Sequence, residues 1–149
     1  MRVKLFFGLV FLLGTFLVGA AAVVYMSFSI KNPEMPTYSY SVWKTIQRNK
    51  WQYIDFQAVG NNEWTRVCFL GPYNGDSETL LGFPWHITDY TDVLSSDGHN
   101  VIIFATDTEV VDFIIHTRSH GDFYTMSGRC LPRNNSKLVL RKNAGGFVQ

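Results

Sequence analysis

The spacing of apolar positions divides the chain into three textures. Leu5 to Met26 runs 22 residues without a charge, and it lacks the polar face that a surface helix keeps. At about 1.5 Å rise per residue, a helix of that length reaches roughly 33 Å, close to one bilayer core. Residues 31–42, KNPEMPTYSYSV, carry two prolines and little helical period. They predict a short extended linker. Beyond them, alternating runs are broken by turn residues, which predicts strands joined by loops.

WKTIQRNK (43–50) predicts a short helix. Trp51, Tyr53, Asp55 and Gln57 then alternate with Gln52, Ile54, Phe56 and Ala58, as in a strand. After Gly60-Asn61-Asn62 comes EWTRVCFL (63–70), with Trp64, Arg66, Cys68 and Leu70 on one face and Thr65, Val67 and Phe69 on the other. The short Gly/Asn connection predicts that these two runs form a hairpin. DSETLLGF (76–83) predicts a helical turn, opened by Asp76 or Ser77 and closed by Gly82. Residues 84–100 lack a sustained period and read as a loop with room for one further helical turn.

VIIFAT (101–106) and VVDFIIHTR (110–118) are β-branched runs separated by Asp107-Thr108-Glu109, a second hairpin. Val111, Phe113, Ile115 and Thr117 share one face of the latter run; Val110, Asp112, Ile114, His116 and Arg118 share the other. KLVLRK (137–142) predicts a last strand with Leu138 and Leu140 inward. The expected architecture is α+β: an N-terminal transmembrane helix, then a small antiparallel sheet of about five strands with one or two short helices. Its expected divisions are an anchor at 1–30, a linker at 31–42 and a domain at 43–149.

The apolar run admits two readings, an uncleaved anchor and a cleaved secretory signal. Gly19-Ala20-Ala21-Ala22 offers a small-residue cleavage site. The run continues through Val23, Val24, Tyr25 and Met26, which favours the anchor. No cysteine lies in or just after it, which excludes a lipid-modified cysteine. Arg2 and Lys4 flank one end closely, whereas Lys31 on the other side sits near Glu34. The N-terminus is therefore expected inside. Either reading exports residues 31–149.

Export changes the meaning of the only two cysteines, Cys68 and Cys130. In an oxidising compartment a pair of this kind is expected to form a disulfide. A free nucleophile would need a nearby base and a depressed thiol pKa, and neither cysteine carries a local signature for that. His116 and His120, in HTRSH, sit with Asp122 close by and are the candidates for a small metal-dependent or hydrolytic site. In an extended strand they stand about 13 Å apart, so shared ligation requires a curled turn. Asp89, Asp92 and Asp97 gather before Gly98 without EF-hand spacing and suit ordinary turns. No phosphate-binding glycine loop and no nucleophile elbow occurs. No cofactor is implied.

Charge adds an asymmetry. From Asp76 to Asp122 there are nine acidic residues against one base, Arg118; from Arg129 to Lys142 there are five bases and no acid. The chain either presents separate acidic and basic surfaces or folds one segment against the other. Its near-neutral total gives no case for nucleic acid. Trp43, Trp51, Trp64 and Trp85 would have to line up on the surface to make a glycan platform; a small domain more often uses such rings as core.

Three stretches, WTRVCFLGPY (64–73), SSDGHNVIIF (95–104) and HGDFYTMSGRC (120–130), together resemble a family of short bacterial exported proteins. That family has an N-terminal hydrophobic segment, a W-x-x-V-C-F-L-G-P-Y core, a D-G-x-N-hydrophobic strand and a G-D-F…C ending. The resemblance spans residues 63–135. It implies a bacterial envelope location and pairing of Cys68 with Cys130, and it carries over no catalytic residue. The expectation is a non-enzymatic protein of the bacterial inner membrane. It is held through residues 5–26, with its domain in the periplasm, and it binds an envelope protein partner in an inhibitor-like or immunity-like role.

Overall fold

Strands in the 101–118 region carry apolar residues on both faces, and two separate cores form against them. The computed structural model describes residues 37–141 and 146–149, within a compact unit running from Met35 to Gln149. The expected anchor at 1–30 lies outside the described residues. Among the described residues no helix is long and apolar enough to cross a membrane.

Helix α1 (Thr37–Arg48) opens the unit. Its buried positions Tyr38, Val42, Thr45 and Ile46 follow helical spacing. It begins six residues before the expected helix, so residues 37–42, read from sequence as extended linker, are its first half. Serines and a threonine among the apolar positions mask that period, because such residues favour caps and turns. The helix ends where Lys50 and Trp51 both take positive φ, 49° and 61°. There the Trp51 N–H reaches back to the Ile46 carbonyl at 3.1 Å.

Strand β1 (Tyr53–Asp55) follows, but it does not pair with its neighbour in sequence. The Asp55 carboxylate accepts the Gln57 N–H at 3.0 Å and starts a 3₁₀ turn over Phe56–Ala58. This local side-chain bond competes with ladder formation. The Trp64 indole N–H then donates to the Val59 carbonyl at 3.1 Å, folding the connection inward. The expected 51–58/63–70 hairpin is therefore corrected. The two runs enter different sheets.

Four strands make the main sheet: β2 (Arg66–Leu70), β3 (His99–Ala105), β4 (Val110–Thr117) and β5 (Arg129–Pro132). Their order is β4-β3-β2-β5, all antiparallel. The β3–β4 hairpin forms as read from sequence, with a register shift between Phe104 and Ala105. A second sheet has the order β1-β6-β7, with β6 (Lys137–Arg141) and β7 (Gly146–Val148). Tyr53, Ile54 and Asp55 oppose Val139, Leu138 and Lys137. Instead of one sheet of about five strands, the described residues form two sheets of four and three.

Each face of the main sheet has its own core. On one side Val67, Phe69, Ile102, Phe104, Ile114 and Leu131 pack beneath α1 and the smaller sheet. Rings fill this space: Phe104 lies 4.7 Å from Tyr38, 5.3 Å from Trp64 and 6.1 Å from Phe56. Phe123 stacks at 4.8 Å on Phe147. Gly121, at φ 107°, permits this; a Cβ there would meet the Phe147 ring at 2.5 Å. On the other side Cys68, Leu70, Val101, Ile103 and Ala105 meet Leu81, Ile87 and Leu94.

The second cover is irregular chain. Helix α2 (Ser77–Leu81) is capped by Asp76, whose carboxylate accepts the Thr79 N–H, and stops at Gly82, φ 77°. Both ends match the sequence reading. Short 3₁₀ turns at Ile87–Asp89 and Val93–Ser95 complete this cover. Its anchor is the buried Ser77 hydroxyl, which donates to the Trp85 carbonyl at 2.8 Å and accepts the Ile87 N–H at 2.9 Å.

Candidate functional site

Cys68 and Cys130 stand directly opposite each other on β2 and β5. Their Cα atoms are 4.0 Å apart and a disulfide joins them. The pairing clips the edge strand β5 to the sheet's centre and closes a loop of sequence separation 62. A groove of about 380 Å³ runs beside Cys130, between Asn74, Asp76, Thr79 and Leu80.

His116 and His120 do not converge with a third ligand. The His116 ring is buried against the edge of Phe123, centroids 5.0 Å apart, and its Nε2–H donates to the Gly121 carbonyl at 2.8 Å. Burial holds this imidazole below its ordinary pKa. His120 instead lies beside Trp51, centroids 6.3 Å apart. Asp122 is also committed. It accepts from Arg118 at 2.7 Å, from Asn100 at 3.2 Å and from the Tyr124 N–H at 2.8 Å. Burial opposes its charge, but those bonds and the Arg118 cation outweigh burial and keep the carboxyl below its ordinary value. Among the described residues no three His, Cys, Asp or Glu side chains gather as metal ligands.

Arg118 therefore serves the fold. Besides holding Asp122 it donates to the Asp97 carbonyl at 2.7 Å and covers the Tyr124 ring at 5.6 Å. With the acidic segment's one base engaged, Asp76, Glu78, Asp89, Asp92, Asp97, Asp107 and Glu109 remain exposed. Among the described residues, Glu78 alone of these has a partner across an ion-pair distance, His86 at 3.7 Å. No ion pair among the described residues joins the acidic segment to the basic one. Arg133 instead lies over Trp64 at 4.5 Å and donates to the Asn61 carbonyl at 2.9 Å. The two segments do touch, since Cys130 lies against Leu80.

The tryptophans do not align. Trp64 is core, Trp43 lies on the outer side of α1, and Trp51 packs beside His120. Trp85 belongs to a cluster that sequence spacing gave no hint of. It stacks on Tyr90, centroids 5.2 Å apart and 20° between planes. Phe113 of β4 closes the group at 5.7 Å from Trp85 and 5.6 Å from Tyr90. Tyr90 is 60% exposed and Ile115, next on the same face of β4, is 43% exposed. The result is an aromatic platform against an outer strand, with exposed Asp89 and Asp92 beside Tyr90 in sequence. Such amphipathic rings, held at low entropic cost, suit recognition by contact.

No family model, curated protein or solved structure matches the chain.

Proposed function

We propose that this chain is a membrane-tethered, extracytoplasmic binding domain that recognises a protein partner of the bacterial envelope through the Trp85–Tyr90–Phe113–Ile115 platform. The single observation that carries the reading is the platform itself. Three interlocked rings and an exposed isoleucine stand on one face. The flanking Asp89 and Asp92 are exposed and pair with no cation among the described residues, so the complementary surface is apolar at its centre and basic at its rim. Opposite charges at the rim steer encounter, while the buried rings supply most of the affinity.

Export supports the same reading. The uncharged run Leu5–Met26 is long enough for a bilayer core, and a disulfide of this separation belongs to an oxidising compartment. The resemblance to short bacterial exported proteins agrees, with the domain on the periplasmic side of the inner membrane. An inhibitor-like or accessory role follows from a site built for contact.

A photo-crosslinking amino acid placed at Tyr90 in intact cells tests this. The expected result is a discrete adduct that is absent when the same probe replaces Val139 on β6, and that disappears in Trp85→Ala. Equal labelling from both positions, or none from Tyr90, refutes the platform as the recognition surface.

A further inference from the structure

We infer that the outer face of α1 is a lipid-headgroup contact that seats the domain on an anionic membrane surface. The inference rests on the tether reading above and adds an orientation to it. Tyr40, Trp43, Lys44, Gln47 and Arg48 share the solvent side of α1, with spacings of three and four residues. Tyr40 is 48% and Trp43 42% exposed, although both rings would gain from burial. Their centroids are 6.4 Å apart, and the Lys44 ammonium lies 5.6 Å from the Tyr40 ring. The helix carries no carboxylate. Aromatic rings interleaved with cations on a short amphipathic helix are the composition of the membrane interface.

Two further observations select lipid as the occupant. The stretch read as the bilayer span, residues 5–26, ends at Met26, and α1 begins at Thr37. The ten intervening residues reach at most about 35 Å when fully extended, and less in any other conformation. A domain tethered that closely meets headgroups constantly. Charge agrees: exposed Lys50 follows α1, and exposed Lys137 and Arg141 lie on the adjoining small sheet, all on one side of the main sheet. The exposed acids at 76–97 lie in the cover of the opposite side. A cationic side turned to anionic headgroups leaves the acidic, aromatic platform facing outward.

The test uses the full chain reconstituted into vesicles of phosphatidylcholine and phosphatidylglycerol with brominated acyl chains. Flotation is read first, then tryptophan quenching. The expected result is flotation with every vesicle composition, and quenching in anionic vesicles that is partly lost in Trp43→Phe. The Lys44→Glu/Arg48→Glu variant should lose the same fraction while its tryptophan emission in detergent stays that of the parent. A chain that floats yet is quenched equally with and without Trp43 overturns the α1 contact and leaves the tether standing. Equal Trp43 quenching in purely zwitterionic vesicles overturns the anionic part of the claim. A chain that floats with no vesicle overturns the tether and this inference with it.

Discussion

The two faces of the main sheet are covered in opposite ways. One lies under a regular helix and a second sheet, packed ring against ring around Phe104 and Phe123. The other lies under residues 76–98, a five-residue helix and 3₁₀ turns joined to each other through the Ser77 hydroxyl and to the sheet through Arg66, which donates to the Leu81 carbonyl. Both exclude water from the same strands. The regular cover buries Tyr38, Val42 and Ile46 at helical spacing and leaves Tyr40, Trp43 and its cations outside. The irregular cover cannot alternate its residues by any period, so rings such as Tyr90 are held outward on the backs of others. The aromatic platform joins that irregular cover to one regular strand, β4.

The largest effect that sharpens this contrast is expected from Phe104→Ala. It removes a ring in contact with three others and should cost about 4–5 kcal/mol, the upper part of the range for such cavities, read by urea unfolding. Next is the Cys68→Ala/Cys130→Ala pair. Releasing a loop of separation 62 should cost about 4 kcal/mol on the chain-entropy account. It should leave the sheet's amide protection pattern in place.

Ser77→Ala probes the irregular cover alone. It strands the Ile87 N–H and should cost about 2 kcal/mol. Hydrogen exchange should quicken over 77–94 while β2 and β3 stay protected. If the whole domain loosens, the two covers are not independent.

The smallest effect is a pH slope. Burial lowers the His116 pKa below its ordinary 6.5, so below that value the unfolded chain binds the proton that the folded chain refuses. Stability is full above 6.5 and falls as pH drops toward the folded value, by up to about 1.4 kcal/mol per pH unit. His116→Gln should flatten that slope in paired urea titrations at about pH 7.5 and pH 6. Asp112, held above its ordinary value by burial, acts in the opposite sense nearer 3.8.

Local signals in the sequence held wherever one residue decides a local structure. Asp76 and Gly82 bounded α2 correctly, and the β-branched runs around Asp107 gave the β3–β4 hairpin. Signals that need tertiary knowledge failed. The strand at 51–58 alternated well, but nothing local said that Asp55 would cap a turn and that β1 would seek β6. Strands β5 and β7 are too short to show a period. On β4, Ile114 and His116 are buried while Ile115 is exposed; hydrophobicity alone cannot rank faces in a sheet covered on both sides. The cysteine pair was legible because the chain has only two cysteines. The platform was not, since Trp85, Tyr90 and Phe113 meet only through the path of an irregular loop.

The measurement that bears most directly on the account is the thiol state of the protein taken from its own cells without reductant, read by alkylation and intact mass. The account predicts a Cys68–Cys130 bond, no alkylated cysteine, and fractionation with the membrane. Two freely alkylated thiols on a chain recovered from the cytosol would contradict it.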